Sequence, residues 1–257
     1  MNKNLLVACV LLLLCPIGAK AENVVRFGVD PTYPPLEYRD AQGNMIGFDI
    51  ELGNEICKRM AVKCEYVQSS FDGLIPGLVA RKFDGVLSSL SVTEARLKQI
   101  DFSDKLSNPA TRLVARLNSG IEPTPVGLKG KTVGYQQGTI QESYARTYWK
   151  VPGIKLQAYA SQDQVYADLL NGRIDASLQD EVQATYAFLK TDQGKGYEFA
   201  GPIIVDTKVL GNGTAIGVRK EDQDLKRSIN KAIAEMLADG TYQKIASKYF
   251  DFDIYGS

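Results

Sequence analysis

Two patterns of apolar and polar residues alternate along most of the chain. Short runs rich in β-branched and aromatic residues predict strands, and segments whose apolar residues recur every three or four positions predict helices. The strands are predicted at 24–29, 62–67, 83–87, 132–135, 156–159 and 174–178. The helices are predicted at 48–60, 71–81, 139–149 and 162–171. This alternation predicts an α/β protein whose mostly parallel sheets are flanked by helices.

The series of strands and helices occurs twice, and a loop rich in proline and glycine at 119–130 separates the two. Residues 78–89 read LVARKFDGVLSS and residues 169–180 read LLNGRIDASLQD, which match at several positions. The first strand of each series also aligns, with FGVD at 27–30 and VGYQ at 133–136. Chance likeness between amphipathic segments is one explanation, and two similar α/β lobes are the other.

Polar residues follow the ends of several predicted strands. They are Asp30, Ser88 and Ser89 in the first series, and Gln136 and Asp180 in the second. In open α/β sheets, ligands bind beyond the carboxyl ends of the strands. Two lobes that face each other would bring these residues into one cleft, and interfaces between domains are favoured sites for small ligands.

The N-terminus has the pattern of a secretory signal peptide over residues 1–21. Lys3 supplies a positive charge, an apolar run follows at 5–14, and a small-residue triplet that ends at Ala21 fits a cleavage site. The run is too short to span a bilayer, so a membrane anchor or a buried helix is the weaker alternative. Cys15 raises the question of a lipoprotein, but the residue before it is a leucine. We expect secretion of the chain and cleavage after Ala21.

Composition and charge exclude several classes of function. The 257 residues include 30 Lys and Arg, 30 Asp and Glu, and no histidine. Without Lys3 and Lys20 of the signal peptide, 28 basic residues face 30 acidic ones, and the net charge is about −2. A nearly neutral surface argues against a nucleic-acid partner. The absence of histidine removes Ser-His and Cys-His nucleophilic chemistry, and we expect neither a metal nor a cofactor.

Two cysteines remain after removal of the signal peptide. Cys57 and Cys64 lie in a chain that is sent to an oxidising compartment, which favours a disulfide between them. Two buried free thiols are the alternative. Their spacing does not suit a zinc site.

Five side chains indicate the chemistry of the predicted cleft. Arg96 carries a guanidinium, the group best shaped to bind a carboxylate with two parallel hydrogen bonds. Asp180 could hold an ammonium, and Asp30 adds a second negative charge. Tyr33 and Phe71 are aromatic residues near the ends of elements. A free amino acid needs such a set, although an isolated Arg or Asp at a loop is more often a solvated surface charge.

Six motifs together resemble one protein family. They are GFDIELGNEICKRM at 47–60, FDGLIPGL at 71–78, SSLSVTEAR at 88–96, LKGKTVG at 128–134, LQDEV at 178–182 and DGTYQKIASKYFDFDIYG at 239–256. In combination they are highly specific, and the resemblance extends over essentially the whole chain after the signal peptide. The chain resembles the periplasmic amino-acid-binding proteins of ABC importers, solute-binding protein family 3. Within that family it is most similar to the lysine/arginine/ornithine-binding and histidine-binding proteins.

The resemblance implies a two-lobed periplasmic-binding-protein fold of type II with the ligand in the cleft. Lobe 1 would comprise 22–109 and 211–257, and lobe 2 would comprise 110–210. The function it implies is capture of arginine, lysine, ornithine or histidine by hinge closure, and delivery to an inner-membrane ABC permease by a protein we expect to be a monomer. The family's disulfide matches Cys57 and Cys64.

The resemblance also implies which residues bind the two α-groups of the ligand. Arg96 would bind the α-carboxylate, assisted by the backbone of Ser91 and by the loop at Thr139. Asp180 would bind the α-ammonium, assisted by Ser89.

The side chain of the ligand has its own set of residues in the resembled family. Tyr33 and Phe71 would enclose its aliphatic part. Asp30, with Ser88 and Gln141, would bind its cationic end.

Two residues of the second lobe depart from the pattern of the resembled family. Ile140 stands where a hydroxyl residue is usual, and Gln136 occupies a position that is often apolar. Both alter the wall of the pocket and therefore the ligand preference, while Asp30 still favours a cation. Asp49 lies close to the pocket in the resembled proteins and adds negative potential.

Two other functions remain open at this point. A dehydratase family shares the fold, but an enzyme would need a general acid or base in the cleft. Glu37, Glu94 and Glu181 are the remaining carboxylic candidates, and no pattern marks them. A signalling module that reports an amino acid to a receptor would have the same sequence features.

Overall fold

The structure is a computed structural model that describes residues 23–256, so the predicted signal peptide lies outside the described residues. The strands are β1 Val24–Val29, β2 Thr32–Tyr33, β3 Glu37–Arg39, β4 Met45–Ile46, β5 Lys63–Gln68, β6 Gly85–Val86, β7 Asp101–Ser107, β8 Thr111–Arg116, β9 Thr132–Gln136, β10 Lys155–Tyr159, β11 Ala176–Asp180, β12 Tyr197–Ile204 and β13 Thr214–Val218. The helices are α1 Phe48–Arg59, α2 Leu74–Val79, α3 Glu94–Leu97, α4 Ile140–Tyr148, α5 Gln162–Leu170, α6 Glu181–Ala184, α7 Thr207–Leu210, α8 Gln223–Ala238 and α9 Thr241–Ala246. A 3-10 turn at Phe71–Gly73 precedes α2, and a π-helical turn at Thr185–Leu189 follows α6.

Two five-stranded sheets have the same topology. Their strand orders are β5-β1-β6-β13-β7 and β10-β9-β11-β8-β12. In each sheet two neighbouring pairs are parallel and two are antiparallel. The two-lobed α/β fold is therefore confirmed. The matching segments 78–89 and 169–180 contain β6 and β11, which occupy the same place in their sheets. The sheets are mixed, however, rather than mostly parallel as the sequence pattern predicted.

The mixed pairing follows from the path of the chain between the lobes. β1 and β9 end at the cleft, where the residues at their carboxyl ends meet. A chain that arrives from the other lobe enters the sheet at the cleft, where β1 or β9 ends. Its first strand must therefore run in the direction opposite to β1 or β9. β8 follows the first crossing and β13 follows the second, and both pair antiparallel with their neighbours. The bounds of the lobes, 22–109 with 211–257 and 110–210, stay a prediction.

Each lobe has its own apolar core. In lobe 1, α1 presents Phe48, Leu52 and Ile56 four residues apart on one face, and all three are fully buried. Burial of each such side chain contributes ~1.5–3 kcal/mol. In lobe 2, sheet residues pack with Trp149 at the end of α4. Across residues 23–256 we find no helix with the length and apolar character needed to cross a membrane.

A disulfide joins α1 to the neighbouring strand β5. Cys57 and Cys64 are bonded, with their Cα atoms 5.7 Å apart. This confirms the predicted pairing and ties the last turn of α1 to the edge of the first sheet.

Two predicted elements are shorter in the structure. The helix predicted at 71–81 is a 3-10 turn followed by α2, and the strand predicted at 83–87 pairs only at Gly85–Val86. The ring of Phe83 packs against Gly77 of α2, where a Cβ atom would lie 2.7 Å from the ring. Because Phe83 fills the space beneath the helix, strand pairing begins after it.

Candidate functional site

A cavity of about 240 Å³ lies between the two lobes. Eight of the predicted ligand residues line it, namely Tyr33, Phe71, Ser89, Ser91, Arg96, Thr139, Gln141 and Asp180. Gln136 and Ile140, the two departures from the family pattern, line it as well. The volume is below the ~300–1,000 Å³ of typical pockets for drug-sized ligands, so the cavity suits a small molecule.

Arg96 is a buried cation at the base of this cavity. Thr93 caps the short helix α3 that carries it. The guanidinium donates from Nη1 to the carbonyl of Ser91 at 2.8 Å and from Nη2 to the carbonyl of Gly138, in the other lobe, at 3.0 Å. The Phe71 ring lies 5.6 Å from its Cζ atom. Burial lowers the pKa of Arg96 to about 10.

Asp180 is a buried anion on the opposite lobe. It ends β11 and caps α6, where its Oδ1 accepts a hydrogen bond from the backbone N–H of Gln183 at 2.9 Å. Burial, together with the negative charges of Glu181 and Asp49, raises the pKa of Asp180 to about 7. The group is therefore poised to gain from a nearby cation.

Arg96 and Asp180 share an unusual feature. They are 8% and 7% exposed, yet within residues 23–256 neither has an ion-pair partner within 4.0 Å. A buried charge without a partner is costly and is normally paired. One bound molecule that carries a carboxylate and an ammonium would supply both partners. This arrangement fits the two α-groups of a free amino acid.

Asp30 lies beside the cavity, at the end of β1. Its backbone N–H donates to Oγ of Ser88 at 3.0 Å, and its Oδ1 accepts from the hydroxyl of Thr32 at 2.9 Å. Its Oδ2 accepts from Nε2 of Gln136, in the other lobe, at 2.7 Å. Burial raises the pKa of Asp30. Asp30 and Ser88, both predicted ligand residues, are outside the cavity lining, whereas Gln136, which contacts Asp30, is part of it.

Two buried carboxyl groups, Glu37 and Asp49, lie behind the serines, and we call them the acidic pair. Ser88 donates to Glu37 at 2.8 Å, while Ser89 donates from its N and Oγ atoms to Asp49 at 2.7 and 3.1 Å. Burial raises the pKa of Glu37 well above its ordinary value and that of Asp49 to about 6. Ser89 has a φ of 45°, in the left-handed region, and these hydrogen bonds hold it there.

The remaining predicted residues form the sides of the cavity. Thr139 caps α4 by accepting from the backbone N–H of Glu142, and it donates to the carbonyl of Gln136 at 2.6 Å. Gln141 donates to the hydroxyl of Thr111 at 3.2 Å. Both side chains are therefore fixed by lobe 2 before a ligand enters.

Sequence reasoning missed one wall of the cavity. Ile204, Asp206 and Thr214 line it where the chain crosses back to lobe 1, and Thr111 lines it at the first crossing. These residues carry no periodic pattern, and their proximity to the predicted lobe boundaries was the one available signal. The sequence also left Glu37 unmarked, because its burial depends on β3 folding beneath the serines.

The cavity has an excess of negative charge. Arg96 is the single basic side chain among the described residues that line it, whereas Asp180 and Asp206 line it as acids. Behind the lining, Asp30 accepts a hydrogen bond from the lining residue Gln136, and Asp49 accepts from the lining residue Ser89. After one carboxylate of a ligand has paired with Arg96, the remaining field favours positive charge.

Three comparisons with known proteins show what the chain is similar to. Residues 25–252 match the family model of bacterial extracellular solute-binding proteins, family 3. The chain is 52% identical to the histidine-binding periplasmic protein of Salmonella typhimurium over 90% of its own length and 89% of that protein. It is also 52% identical to the lysine/arginine/ornithine-binding periplasmic protein of Escherichia coli K12, over 93% and 92%. Among solved structures, an ancestral arginine-binding protein bound to arginine has a TM-score of 0.82 at 35% identity, covering 89% of this chain and 99% of that one.

Proposed function

The chain belongs to the bacterial extracellular solute-binding proteins of family 3, and on that premise we propose that it captures a basic amino acid by hinge closure. The candidates are arginine, lysine, ornithine and histidine. The family and the relatives consist of binding proteins, so the chain is a binding protein rather than an enzyme. The captured ligand is delivered to an ABC permease.

The observation that carries this proposal is the pair of buried, unpaired opposite charges in the cleft. Arg96 from lobe 1 binds the α-carboxylate with the N–H groups that Ser91 and Gly138 leave free. Asp180 from lobe 2 binds the α-ammonium, with Ser89 beside it. Charge-assisted hydrogen bonds of this kind contribute ~1.5–3 kcal/mol each.

The excess of acidic groups supports a basic side chain on the ligand. Tyr33 and Phe71 enclose the aliphatic stem, and the cationic end lies toward Asp30 and Gln141. Asp30 acts there together with Ser88, which holds its backbone in place. A neutral or acidic side chain gains less from this field.

Closure of the hinge follows from the division of ligand contacts between the lobes. Arg96, Ser89, Ser91 and the two aromatic residues belong to lobe 1, and Asp180 belongs to lobe 2. A ligand that touches both sets gains its full binding energy only when the cleft is closed, so it shifts the population of conformations toward closure. The chain crosses between the lobes near residues 108–111 and 210–213, and these two segments are the places where the backbone can absorb this motion.

The cellular setting follows from the relatives and the N-terminal pattern. The similar proteins are periplasmic, and we propose that this chain is exported to the periplasm and cleaved after Ala21. We further propose that it works there as a monomer, with residues 22–109 and 211–257 as lobe 1 and 110–210 as lobe 2. A single cleft between two lobes binds its ligand without a second copy of the chain.

Isothermal titration calorimetry of the mature protein against each proteinogenic amino acid and ornithine tests this function. Basic amino acids should bind most tightly, one per chain. Binding of no amino acid would refute the proposal, whereas a preference for apolar or acidic amino acids would refute only the basic side chain.

Mass spectrometry of the ligand recovered after long incubation should show it unchanged, and a dehydrated product would show enzymatic turnover.

A further inference from the structure

Gln136 and Asp30 occupy equivalent positions in the two lobes and contact each other across the cleft. Asp30 follows β1 and Gln136 ends β9, the two strands at the same place in their sheets. The Gln136 amide donates from Nε2 to Oδ2 of Asp30 at 2.7 Å and, more weakly, to the carbonyl of Ala160 at 3.4 Å. Gln136 also lines the cavity.

This contact changes what Asp30 requires of a ligand. With Gln136 in place, both carboxylate oxygens of Asp30 accept hydrogen bonds from the protein, Oδ1 from Thr32 and Oδ2 from Gln136. A carboxylate has about four acceptor positions, so a cationic ligand can still bind. When the ligand has no cation, however, Asp30 is not left with an unpartnered oxygen in the closed cleft.

The amide oxygen of Gln136 adds a second effect. Its Nε2 is committed to Asp30, and Oε1 accepts no hydrogen bond from the part of the chain that the structure describes. An amide oxygen at the cavity wall can accept a hydrogen bond either from a guanidinium or from the amide of a neutral side chain.

We propose that Gln136 is a specificity-determining residue, which holds Asp30 in the closed cleft and thereby lets a neutral polar amino acid such as glutamine bind alongside the basic ones. This inference rests on the proposed function and deepens it. An apolar side chain at position 136 would remove the donor to Asp30, and the charged donor of a cationic ligand could replace it more strongly than the neutral amide of glutamine. Selectivity for cations would therefore increase.

The test is calorimetric titration of the mature protein and its Gln136→Leu variant with L-arginine and L-glutamine. In the wild-type protein, glutamine should bind within about 100-fold of arginine, the range of one charge-assisted contact. In Gln136→Leu, the ratio of the glutamine Kd to the arginine Kd should rise about 10-fold or more. Gln136→Met, which retains the length of the side chain, should act in the same direction and serves if the leucine variant does not fold.

Gln137 provides a matched control. It also reaches across the cleft, where it donates to Asp72, but it does not line the cavity. Gln137→Leu should change both affinities by the same factor and leave their ratio unchanged. Likewise, in an Asp30→Asn background Gln136→Leu should no longer change the ratio.

Three results with the variants would overturn the inference: an unchanged ratio in Gln136→Leu, an equal rise in Gln137→Leu, or a rise that persists with Asp30→Asn. Wild-type protein that binds arginine but shows no measurable affinity for glutamine would overturn it as well. A protein that binds no amino acid at all would instead refute the proposed function.

Discussion

The guanidinium of Arg96 donates to the backbone carbonyl of Gly138 on the opposite lobe, 3.0 Å away. The residue that we propose to bind the α-carboxylate thus also joins the lobes. Gly138 has a φ of +78°, and a Cβ atom on it would lie 2.7 Å from the Cα atom of Asp72 in lobe 1. A side chain at this position would hold the lobes apart.

Gly138→Ala should therefore weaken the binding of every amino acid by about 1–3 kcal/mol, the usual cost of forcing extra atoms into a packed contact. Gly130→Ala is the matched control, because Gly130 also lies in lobe 2 and has a φ of +81°, but its Cβ atom would meet nothing within 4 Å. Both variants should lose similar stability without ligand. Calorimetry should show weakened binding in Gly138→Ala alone, and equal affinities in the two variants would contradict the closed contact.

Replacing Arg96 with lysine should nearly abolish binding of all amino acids. Lysine keeps the charge but lacks the planar fork that binds a carboxylate through two hydrogen bonds. The loss should be on the order of 3 kcal/mol, since the ligand carboxylate stays poorly paired in a buried cleft. Arg146→Lys, at an exposed position of α4, should leave affinity unchanged. Unaltered titration curves for Arg96→Lys would show that the ligand lies elsewhere.

Asp180→Asn and Asp30→Asn should separate general recognition from selection of the side chain. All amino acids carry the α-ammonium, so Asp180→Asn should weaken every ligand alike. Asp30→Asn should weaken arginine, lysine and ornithine by about 1–3 kcal/mol, the range of a lost charge-assisted contact, and affect glutamine less. Titrations of the wild-type protein and both variants with arginine and glutamine provide the comparison. Arginine affinity that survives Asp30→Asn would refute the role of this carboxylate in cation binding.

Ligand affinity should fall as the pH is lowered below about 7. Burial raises the pKa of Asp180 to about 7 in the unliganded cleft, and the ligand ammonium requires its ionised form. Binding should therefore release a proton near neutral pH. Calorimetric titration in buffers of different ionisation enthalpy measures the number of protons released. Asp180→Asn is the control and should release fewer protons. Proton uptake on binding would contradict this assignment.

The stability of the unliganded protein should show the opposite dependence on pH. The carboxyl of Asp180 has a higher pKa in the folded protein than in the unfolded chain. Its contribution to the free energy of unfolding is therefore fully present below the unfolded pKa and is lost as the pH rises through about 7. Asp49, with a pKa of about 6, acts in the same direction. The Tm of ligand-free Asp180→Asn should decline less over this range than that of the wild-type protein.

Removal of the disulfide should affect stability and not recognition. Cys57 and Cys64 are separated by 7 positions, so the closed loop is short. Its loss in a Cys57→Ser/Cys64→Ser variant should lower the free energy of unfolding by an amount near or below the ~3 kcal/mol of a 15-residue loop. Denaturant unfolding measures this change, and arginine affinity should be retained because the bond lies away from the cavity. A large loss of affinity in the folded variant would show that α1 and β5 couple to the cleft.

The local elements, and the chemistry available at their ends, depend on residues that are neighbours along the chain. The alternating patterns around β1, α1, β9 and α4 depend on neighbouring residues, so their existence could be predicted from the chain alone. The polar residues at the strand ends could be predicted in the same way. Parallel strands of one sheet end at the same edge, so Ser89 lies at this edge of the first sheet and Asp180 at the corresponding edge of the second. Arg96 and Asp180 could be named as candidates because few other residue types pair with a carboxylate and an ammonium.

The way in which these residues combine depends on contacts between distant parts of the chain. Gln136 and Asp30 are 106 positions apart, and their contact requires that two lobes face each other in one particular orientation. The burial of Glu37 and the placement of Ser88 behind the cavity depend on how β3 packs under the first sheet. The antiparallel direction of β8 and β13 depends on where the chain crosses between lobes. These features arise from contacts between distant segments, and a local pattern of apolar and polar residues carries no information about such contacts.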